Sequence, residues 1–526
     1  MIIGVKAMKN NYKVLTDNYY QNILIVFKSL LVGVVAGVTV ILYRITLKYA
    51  EQLSFTMYDF LRNHLILFPV AVLILCLAGY FAGYLVSKNK MISGSGIPQL
   101  EGIMKGYFKK RKSWLHTLCC KFIGGAVCIG GGLSLGREGP SIQLGACAAE
   151  GLGKKLGKGR LERRILMAGG ASAGLAAAFN APLAGVVFAL EEVFKYFSPV
   201  ILLSVMSAAV AADFVSKEVF GTSPIFNFEI IKVIPLNQYG LLILLGILLG
   251  GMGAFYNFIL LKTKKLYSKL KFFNERTRII IPFVIAGVLG IVFPVVLGGG
   301  NRIVKELTME NGILFLATIF IIKFLFSMAS FASGAPGGIF FPLIVLGATL
   351  GAIFAGISIN YLGVDKDLYN NFIILAMAGY FTAIVRAPIT GIVLVMEMTG
   401  SFIHMLPLTV VAVTAYVVAY LLKSPPVYEA LLENLLISEN EEEIKESSKK
   451  ILVELIVKQG SEFANHKVKN INWPGKSLLV EVKRGDKNII PKGDTVLKEG
   501  DYLTVLTDVN SESTIKEILD KMNEPK

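Results

Sequence analysis

Charged side chains are scarce in this chain of 526 residues. Only 17% of its residues are Asp, Glu, Lys or Arg, 54% are hydrophobic, and the mean hydropathy is +0.62. Because soluble domains carry about 25% charged residues, this composition excludes a soluble globular protein. Apolar runs long enough to cross a bilayer recur along the chain from residues 22–43 onward. That first run lacks a small-residue cleavage site, so we expect a retained span in an all-α, polytopic membrane protein.

Cysteine and histidine are also rare, with five and four copies. The cysteines lie in apolar runs without a CxxC pair, so we expect buried thiols and no metal site. Ser172 in GASAG (170–174) fits the nucleophile pattern GxSxG, which has meaning only on a strand-to-helix turn with a histidine and an acid nearby. Its surroundings predict a helix instead, and the histidines show no arrangement around it. We therefore expect no enzyme activity and no cofactor.

Acidic residues are fewer than basic ones, which gives a net charge of +16. Residues 431–526 hold 15 basic and 18 acidic side chains, so residues 1–430 carry a net charge of +19. The excess clusters in short loops at 105–112, 154–164 and 262–278. Basic loops beside apolar spans mark the cytoplasmic face, so we expect these loops, both termini and the tail to be cytoplasmic. This topology accounts for the charge without a nucleic-acid partner.

An internal repeat organises the apolar part of the chain. The segment 180–191 (NAPLAGVVFALE) matches 386–397 (RAPITGIVLVME), and Pro140 with Gly145 matches Pro342 with Gly347. The two separations, 206 and 202 residues, nearly agree. The sequence therefore predicts two related halves of roughly two hundred residues, an arrangement typical of secondary transporters.

Three glycine- and proline-rich stretches interrupt the apolar runs, and each predicts a helix that restarts inside the membrane. They are 93–102 with Gly94, Gly96 and Pro98, 134–146 with Gly136, Gly139 and Pro140, and 333–342. Proline suits the first helical turn because its missing N–H costs nothing there. Non-helical backbone is tolerated at membrane depth only where it is buried in protein or lines a wet cavity. Three helix starts aimed at one point would form an anion site from backbone amides.

The strength of such a site suits transport. Each helix start carries about half a positive charge and attracts a monovalent anion by about 2 kcal/mol at roughly 4 Å and an effective dielectric of about 20. Three starts would supply about 6 kcal/mol, whereas three full cations would supply about 12 kcal/mol and trap the ion. Close packing of membrane helices is the alternative explanation for the glycines.

One acidic residue lies within the second interrupted stretch. Glu138 adjoins Arg137, so a structural ion pair is one interpretation. A glutamate inside a bilayer is nevertheless a functional candidate. If Glu138 lies at the anion site, its ionised form competes with the anion, and proton and anion occupancy are coupled.

These segments resemble the CLC family of chloride channels and chloride/proton antiporters. GSGIP (94–98), GREGP (136–140) and GGIFFP (337–342) match its three anion-site motifs, and the likeness spans roughly residues 20–430 in order. By this resemblance, the central chloride is bound by the Ser95 hydroxyl, the Tyr428 phenol, and the amides of Ile339 and Phe340. It makes Glu138 the external gate and proton acceptor, and Glu192 the internal proton-transfer carboxylate.

The resemblance also implies the kind of transport and the fold. In this family a glutamate at the inner position goes with antiporters and an apolar residue with channels, so Glu192 favours chloride/proton exchange. A passive chloride channel is the alternative, as is a purely structural Glu192 at a helix end. Serine in GSGIP favours chloride over nitrate. The fold implied has about eighteen helices, several discontinuous, in two inverted halves (1–437), and a homodimer with one pathway per subunit.

The C-terminal tail has a different character. A charged linker (438–450) precedes predicted strands at 451–457, 477–482 and 501–507 and a predicted helix at 512–522, which form a small cytosolic α+β domain over 451–526. The tail resembles the C-terminal lobe of regulatory domains of potassium transport proteins (RCK_C), some of which bind cyclic dinucleotides at a dimer interface. A plain dimerisation module is the alternative. A tail of this kind is typical of a bacterial plasma-membrane exchanger.

Overall fold

Two compact units make up the chain. The computed structural model describes residues 2–108, 112–157, 159–195, 197, 199–270, 274–439, 450–473, 477–484, 487–508 and 521–522. The units are Met1–Leu432 and Glu433–Lys526, so the division falls inside a helix, Val427–Glu439. Seven helices in the described ranges are long and apolar enough to cross a membrane.

The first unit is mostly helical and repeats a set of eight α-helices. The first set comprises α1 (Ile2–Asn63), α2 (Phe68–Lys88), α3 (Ile97–Lys105), α4 (Trp114–Gly130), α5 (Glu138–Leu156), α6 (Arg160–Phe179), α7 (Pro182–Phe188) and α8 (Pro199–Phe220). The second comprises α9 (Tyr239–Lys269), α10 (Ile280–Val292), α11 (Asn301–Lys305), α12 (Ile313–Ala332), α13 (Phe340–Leu362), α14 (Tyr369–Val385), α15 (Pro388–Thr399) and α16 (Met405–Leu421). Helix α17 (Val427–Glu439) follows. The described residues thus hold seventeen α-helices and one π-helical segment, Ala189–Phe194, where the resemblance implies about eighteen helices.

The packing confirms the two related halves. Helix α5 packs on α6 as α13 packs on α14, and α1 packs on α8 as α9 packs on α16. The halves meet where α2 packs on α10 and α7 on α15. Asn180 and Arg386 end α6 and α14 in the left-handed conformation, at φ +54° and +69°. Each Ala–Pro segment therefore makes the same sharp turn before its short helix.

Each half caps a helix of the other half. The Glu191 carboxylate accepts hydrogen bonds from the Thr390 backbone amide at 2.8 Å and from the Thr390 hydroxyl at 2.7 Å, at the start of α15. The Glu397 carboxylate accepts one from the Ala184 amide at 2.7 Å, at the start of α7. An anion at a helix N-terminus satisfies unpaired amides and opposes the helix dipole. The matching glutamates of the sequence repeat therefore tie the two halves together.

The expected burial of the cysteines is confirmed for only two of the five. Cys128 and Cys147 are buried, and Cys76 and Cys120 are half-buried, but Cys119 is exposed on α4. An apolar run at membrane depth does not distinguish the face of a helix that packs on protein from the face that meets lipid.

The second unit contains a four-stranded antiparallel sheet. Its strands are β1 (Lys450–Ile456), β2 (Leu478–Arg484), β3 (Lys487–Ile489) and β4 (Tyr502–Asp508), in the order β1-β4-β2-β3. The three predicted strands are confirmed within about two residues, and β3 was not predicted. The predicted closing helix and most of the predicted linker lie outside the described residues, apart from helical residues 521–522. The core of the sheet includes Leu455, Val482 and Leu503.

An ion pair fixes the turn before β4. The Arg484 guanidinium donates to Asp501 Oδ1 and Oδ2 at 2.8 and 2.7 Å, and the Lys498 amide donates to Oδ2 at 2.8 Å. Burial raises the pKa of the Asp501 carboxyl, but the hydrogen bonds from Arg484 and Lys498 outweigh it, so the pKa lies below its usual value. The ionised carboxylate thus stabilises the folded sheet.

Replacing Asp501→Asn removes this ionised acceptor and should destabilise the second unit by about 2 kcal/mol, the usual size for hydrogen bonds to a charged group. Because the folded pKa of Asp501 is depressed, its contribution is complete above the unfolded pKa of about 3.9 and is lost as the pH falls through the folded value. Urea titration of the full chain tests this through Trp473 fluorescence in a Trp114→Phe background, since the chain has two tryptophans. Equal unfolding midpoints at neutral pH for this background with and without Asp501→Asn would contradict it.

Candidate anion site between interrupted helices

The first interrupted stretch starts a helix inside the unit, as predicted. Gly94 and Gly96 have φ of +65° and +90°, and α3 begins at Ile97 with Pro98 in its first turn. The left-handed conformation is open to glycine at little cost. Ser95 lies between them and is 1% exposed, and its Oγ accepts the Ile97 amide at 3.3 Å. The hydroxyl hydrogen of Ser95 thus remains available to a ligand.

The second and third interrupted stretches lie against each other. The Gly136 amide donates to the Gly338 carbonyl at 2.6 Å, and the Gly338 amide donates to the Gly136 carbonyl at 2.7 Å. Helix α5 begins directly after this bridge at Glu138, and α13 begins at Phe340. The Gly337 amide in turn donates to the Gly94 carbonyl at 3.0 Å. All three predicted helix starts are therefore held together by backbone hydrogen bonds.

The glycines allow this close approach. A Cβ on Gly139 would lie 2.8 Å from Ser95 Cβ and 2.9 Å from the Ser95 carbonyl oxygen. Real Cβ atoms essentially never approach that closely, so a side chain at this position would push the start of α5 away from Ser95. Glycine at 139 therefore brings the amino end of α5 next to Ser95.

Glu138 lies at the first position of α5 and is completely buried. Among the described residues, neither of its carboxylate oxygens makes a well-formed hydrogen bond, although the backbone amides of Glu138 and Phe341 interact with the carboxylate. The Arg137 Nε atom lies 3.8 Å from Glu138 Oε1, at the outer limit of an ion pair and beyond hydrogen-bond distance. Both residues line a pocket together with Glu51, Asn301 and Phe341. A structural ion pair alone thus leaves most of the hydrogen-bonding capacity of the Glu138 carboxylate unused.

Tyr428 lies in the first turn of α17 and is completely buried. Its hydroxyl has no hydrogen-bond partner among the described residues, and both Glu138 and Glu192 lie within electrostatic range of it. Ile339 and Phe340 are also buried, and the Phe340 ring packs on Phe381 with centroids 4.6 Å apart. A buried phenol without a partner is costly unless a ligand accepts a hydrogen bond from its O–H group.

Glu192 lies in the π-helical segment Ala189–Phe194 and is 5% exposed. Its Oε1 atom has no hydrogen-bond partner in the described part of the chain. The neighbouring Glu191 carboxylate binds the start of α15 instead. The two adjacent glutamates therefore face different parts of the unit. Single π-turns inside helices often occur at functional sites. Nothing in the sequence indicates this turn, because its apolar pattern suits an ordinary α-helix.

A buried lysine that the sequence analysis did not single out supports the first helix start. Lys121 on α4 is 0% exposed and donates to the carbonyls of Ile92 and Gly94 at 2.9 and 2.6 Å. In the second half, Lys323 makes the same contacts with Val296 and Gly298 at 2.9 and 2.6 Å. The two lysines are 202 residues apart, the same spacing as the repeated prolines. A lone lysine inside a long apolar run was the signal in both cases.

Ser172 lies within the helix α6 and is completely buried. Helical backbone at this position confirms that GASAG is not a strand-to-helix turn. A nucleophile elbow needs that turn to expose its serine. The geometry of Ser172 is thus that of a packed helix residue.

Comparison with known proteins agrees with the geometry of the three helix starts. A family model described as "Voltage gated chloride channel" matches residues 78–420. The chain belongs to the CLC family. It is 34% identical over 430 residues to the H(+)/Cl(-) exchange transporter ClcA of Vibrio cholerae, covering 78% of this chain and 90% of that protein. It is 32% identical over 438 residues to ClcA of Salmonella typhi, covering 80% and 90%.

A solved CLC structure has the same fold. The crystal structure of a slow cyanobacterial Cl-/H+ antiporter matches with a TM-score of 0.74 and 30% identity, covering 80% of this chain and 99% of that one. A second family model, the TrkA-C domain, matches residues 452–520. Both resemblances predicted from the sequence are therefore confirmed, and this CLC chain is a multi-pass membrane protein with a small C-terminal domain.

Proposed function

We propose that this CLC protein exchanges chloride for protons across the membrane. One observation carries the proposal: two buried carboxylates, Glu138 and Glu192, have oxygens without a partner among the described residues and lie within electrostatic range of the Tyr428 hydroxyl. Buried carboxylates without partners are costly and mark proton pathways in membrane proteins. The names of the relatives, H(+)/Cl(-) exchange transporters, support the same activity.

In this proposal chloride binds where the starts of α3, α5 and α13 meet. The Ser95 and Tyr428 hydroxyls and the amides of Ile339 and Phe340 donate to it. Gly94, Gly96 and Pro98 shape the start of α3, and Gly136, Arg137, Gly139 and Pro140 shape the start of α5. Because helix ends supply partial charges, chloride is bound without being trapped.

Glu138 and Glu192 have different tasks in the proposed cycle. An ionised Glu138 beside three helix starts is itself a tethered anion, so it competes with chloride for the outer part of the site. When it takes up a proton, the negative charge disappears and chloride enters. Glu192 passes the proton to and from the other side of the membrane, since it lies on a separate segment near Tyr428. No cofactor or metal takes part in this cycle, and no enzyme activity is needed.

The wider assembly is part of the same proposal. We place the protein in a bacterial plasma membrane with both termini in the cytoplasm, because basic loops flank the apolar helices. It acts as a homodimer in the lipid bilayer, with one pathway per subunit and residues 1–437 as its membrane domain. After a linker at 438–450, residues 451–526 regulate transport, and a cyclic dinucleotide is one candidate ligand.

Proton pumping in liposomes tests the proposal against a passive channel. An outward chloride gradient imposed on vesicles that contain the purified protein should drive protons inward against their own gradient. Valinomycin with potassium sets the membrane potential and should therefore control the rate of this proton uptake. Chloride movement with no uphill proton movement, and a reversal potential that ignores a pH gradient, would establish the channel alternative.

A further inference from the structure

One lysine bridges two helices that carry proposed chloride ligands. The Lys195 ammonium lies 3.3 Å from Glu101 Oε1 on α3 and also forms an ion pair with Glu429 on α17. Helix α3 begins two residues after Ser95, and Glu429 directly follows Tyr428. Lys195 itself comes three residues after Glu192, at the end of the π-helical segment. The Lys195 side chain therefore connects the segment of Glu192 with the helices next to Ser95 and Tyr428.

The charges around Lys195 are mostly negative. Glu192 interacts electrostatically with Lys195 and with three other carboxylates, Glu101, Glu191 and Glu429. Lys105 is a second cation, and it pairs with Glu101 at 2.6 Å on the same helix. Glu101 is 1% exposed, whereas Glu429 is partly open to solvent. Since Glu191 is occupied at the start of α15, the carboxylates that compete for Lys195 are Glu101, Glu192 and Glu429.

The backbone at Lys195 has an unfavourable conformation. Its φ of +53° lies in the left-handed region, which residues with a side chain seldom adopt. Such a conformation persists only where the surroundings hold it in place, and it is found often at functional sites. Lys195 adopts this conformation as the residue that ends the π-helical segment, and its two ion pairs fix the ammonium between α3 and α17.

We propose that Lys195 is a positioning residue that couples protonation of Glu192 to closure of the chloride site beside Tyr428. When Glu192 is protonated, Lys195 is committed to Glu101 and Glu429 and holds α3 and α17 together. When Glu192 is ionised, it draws the ammonium toward itself and weakens both pairs. The position of Tyr428 on α17 thus depends on whether Glu192 is protonated. This inference rests on the proposed exchange of chloride for protons.

The test compares Lys195→Gln with Lys195→Arg in the liposome assay. Without the charge both ion pairs are lost and chloride entry is no longer tied to the proton, so the number of chloride ions moved per proton should rise by at least about fivefold, the upper end for a single exposed ion pair. Lys195→Arg keeps the charge and should keep the wild-type ratio. Lys217→Gln, which breaks the 2.7 Å pair between Lys217 and Asp213 on α8, is the matched control and should also keep it.

Two further variants separate positioning from a structural role. Glu429→Gln leaves Lys195 and its backbone in place, and it should raise the chloride-to-proton ratio in the same direction even if Lys195→Gln fails to fold. In the Glu192→Gln background Lys195 keeps both of its ion pairs, so adding Lys195→Gln should release α17 and raise chloride flux, while proton flux stays absent. An unchanged ratio in Glu429→Gln, with wild-type protein pumping protons normally, overturns this inference alone. Absence of pumping in the wild type would instead overturn the proposed function.

Discussion

Replacing Glu138→Gln should abolish uphill proton transport while chloride continues to flow. Glutamine keeps the size of the side chain but neither ionises nor carries a proton. Two unit negative charges about 4 Å apart repel by about 4 kcal/mol at an effective dielectric of about 20, which is roughly a thousandfold in occupancy. An ionised Glu138 thus excludes chloride strongly, and the variant should lose this exclusion. Its chloride flux should become independent of pH, whereas wild-type flux should fall as the pH rises.

The control for this variant lies on the same helix. Glu150 is also a buried carboxylate on α5, but it is paired with Lys154 at 3.1 Å. Glu150→Gln should therefore leave proton coupling intact. The measurement is simultaneous recording of chloride and proton fluxes from liposomes. Uphill proton transport by Glu138→Gln at the wild-type rate would show that another group accepts the external proton.

Replacing Glu192→Gln should also stop proton movement, but for a different reason and with a different signature. Glu138 remains in place, so chloride flux should keep its dependence on pH. Only the relay between Tyr428 and the opposite side of the membrane is lost. Proton flux should fall by at least about a hundredfold, since an amide offers no ionisable site at membrane depth and an alternative path would expose a charge there.

Two measurements in the same assay distinguish the roles of the carboxylates. A chloride flux that is independent of pH is expected in Glu138→Gln alone, and loss of proton flux is expected in both variants. Glu162→Gln, which breaks the 2.5 Å pair between Lys28 and Glu162, is the control for loss of a carboxylate charge elsewhere in the unit and should behave as wild type. Proton pumping that survives Glu192→Gln would place the internal relay on another residue.

The helix starts were predictable because their signals are local. Gly94, Gly96 and Pro98 determine the backbone of a few residues, and the structure begins α3 where these residues require it. The repeat was predictable for a similar reason, since equal spacings need no knowledge of the fold. The repeated glutamates at 191 and 397 were visible in the sequence. That each of them caps a helix of the opposite half was not, because each contact spans about two hundred residues.

Other features depend on long-range packing that no local pattern encodes. The sequence of the π-helical segment around Glu192 suits an α-helix, and the matching Glu397 lies in an ordinary α-helix, so the wider turn is not visible in the repeat. Lys121 interrupts an apolar run, and only the fold shows that backbone carbonyls surround its ammonium. Lys195 pairs with partners 94 and 234 residues away. In the tail, the three-residue strand β3 (KNI) is too short to show the apolar alternation of its neighbours.

The central claim is that chloride and a proton occupy this site together because Glu138 competes with the anion. The detergent-solubilised protein is titrated with chloride in a calorimeter, in two buffers with different heats of ionisation. The difference between the two heats gives the number of protons taken up on binding. We expect wild-type protein to take up as much as about one proton per chloride at a pH where Glu138 is ionised, and Glu138→Gln to take up none. Chloride binding without proton uptake in the wild type, or equal uptake in both proteins, would contradict the claim.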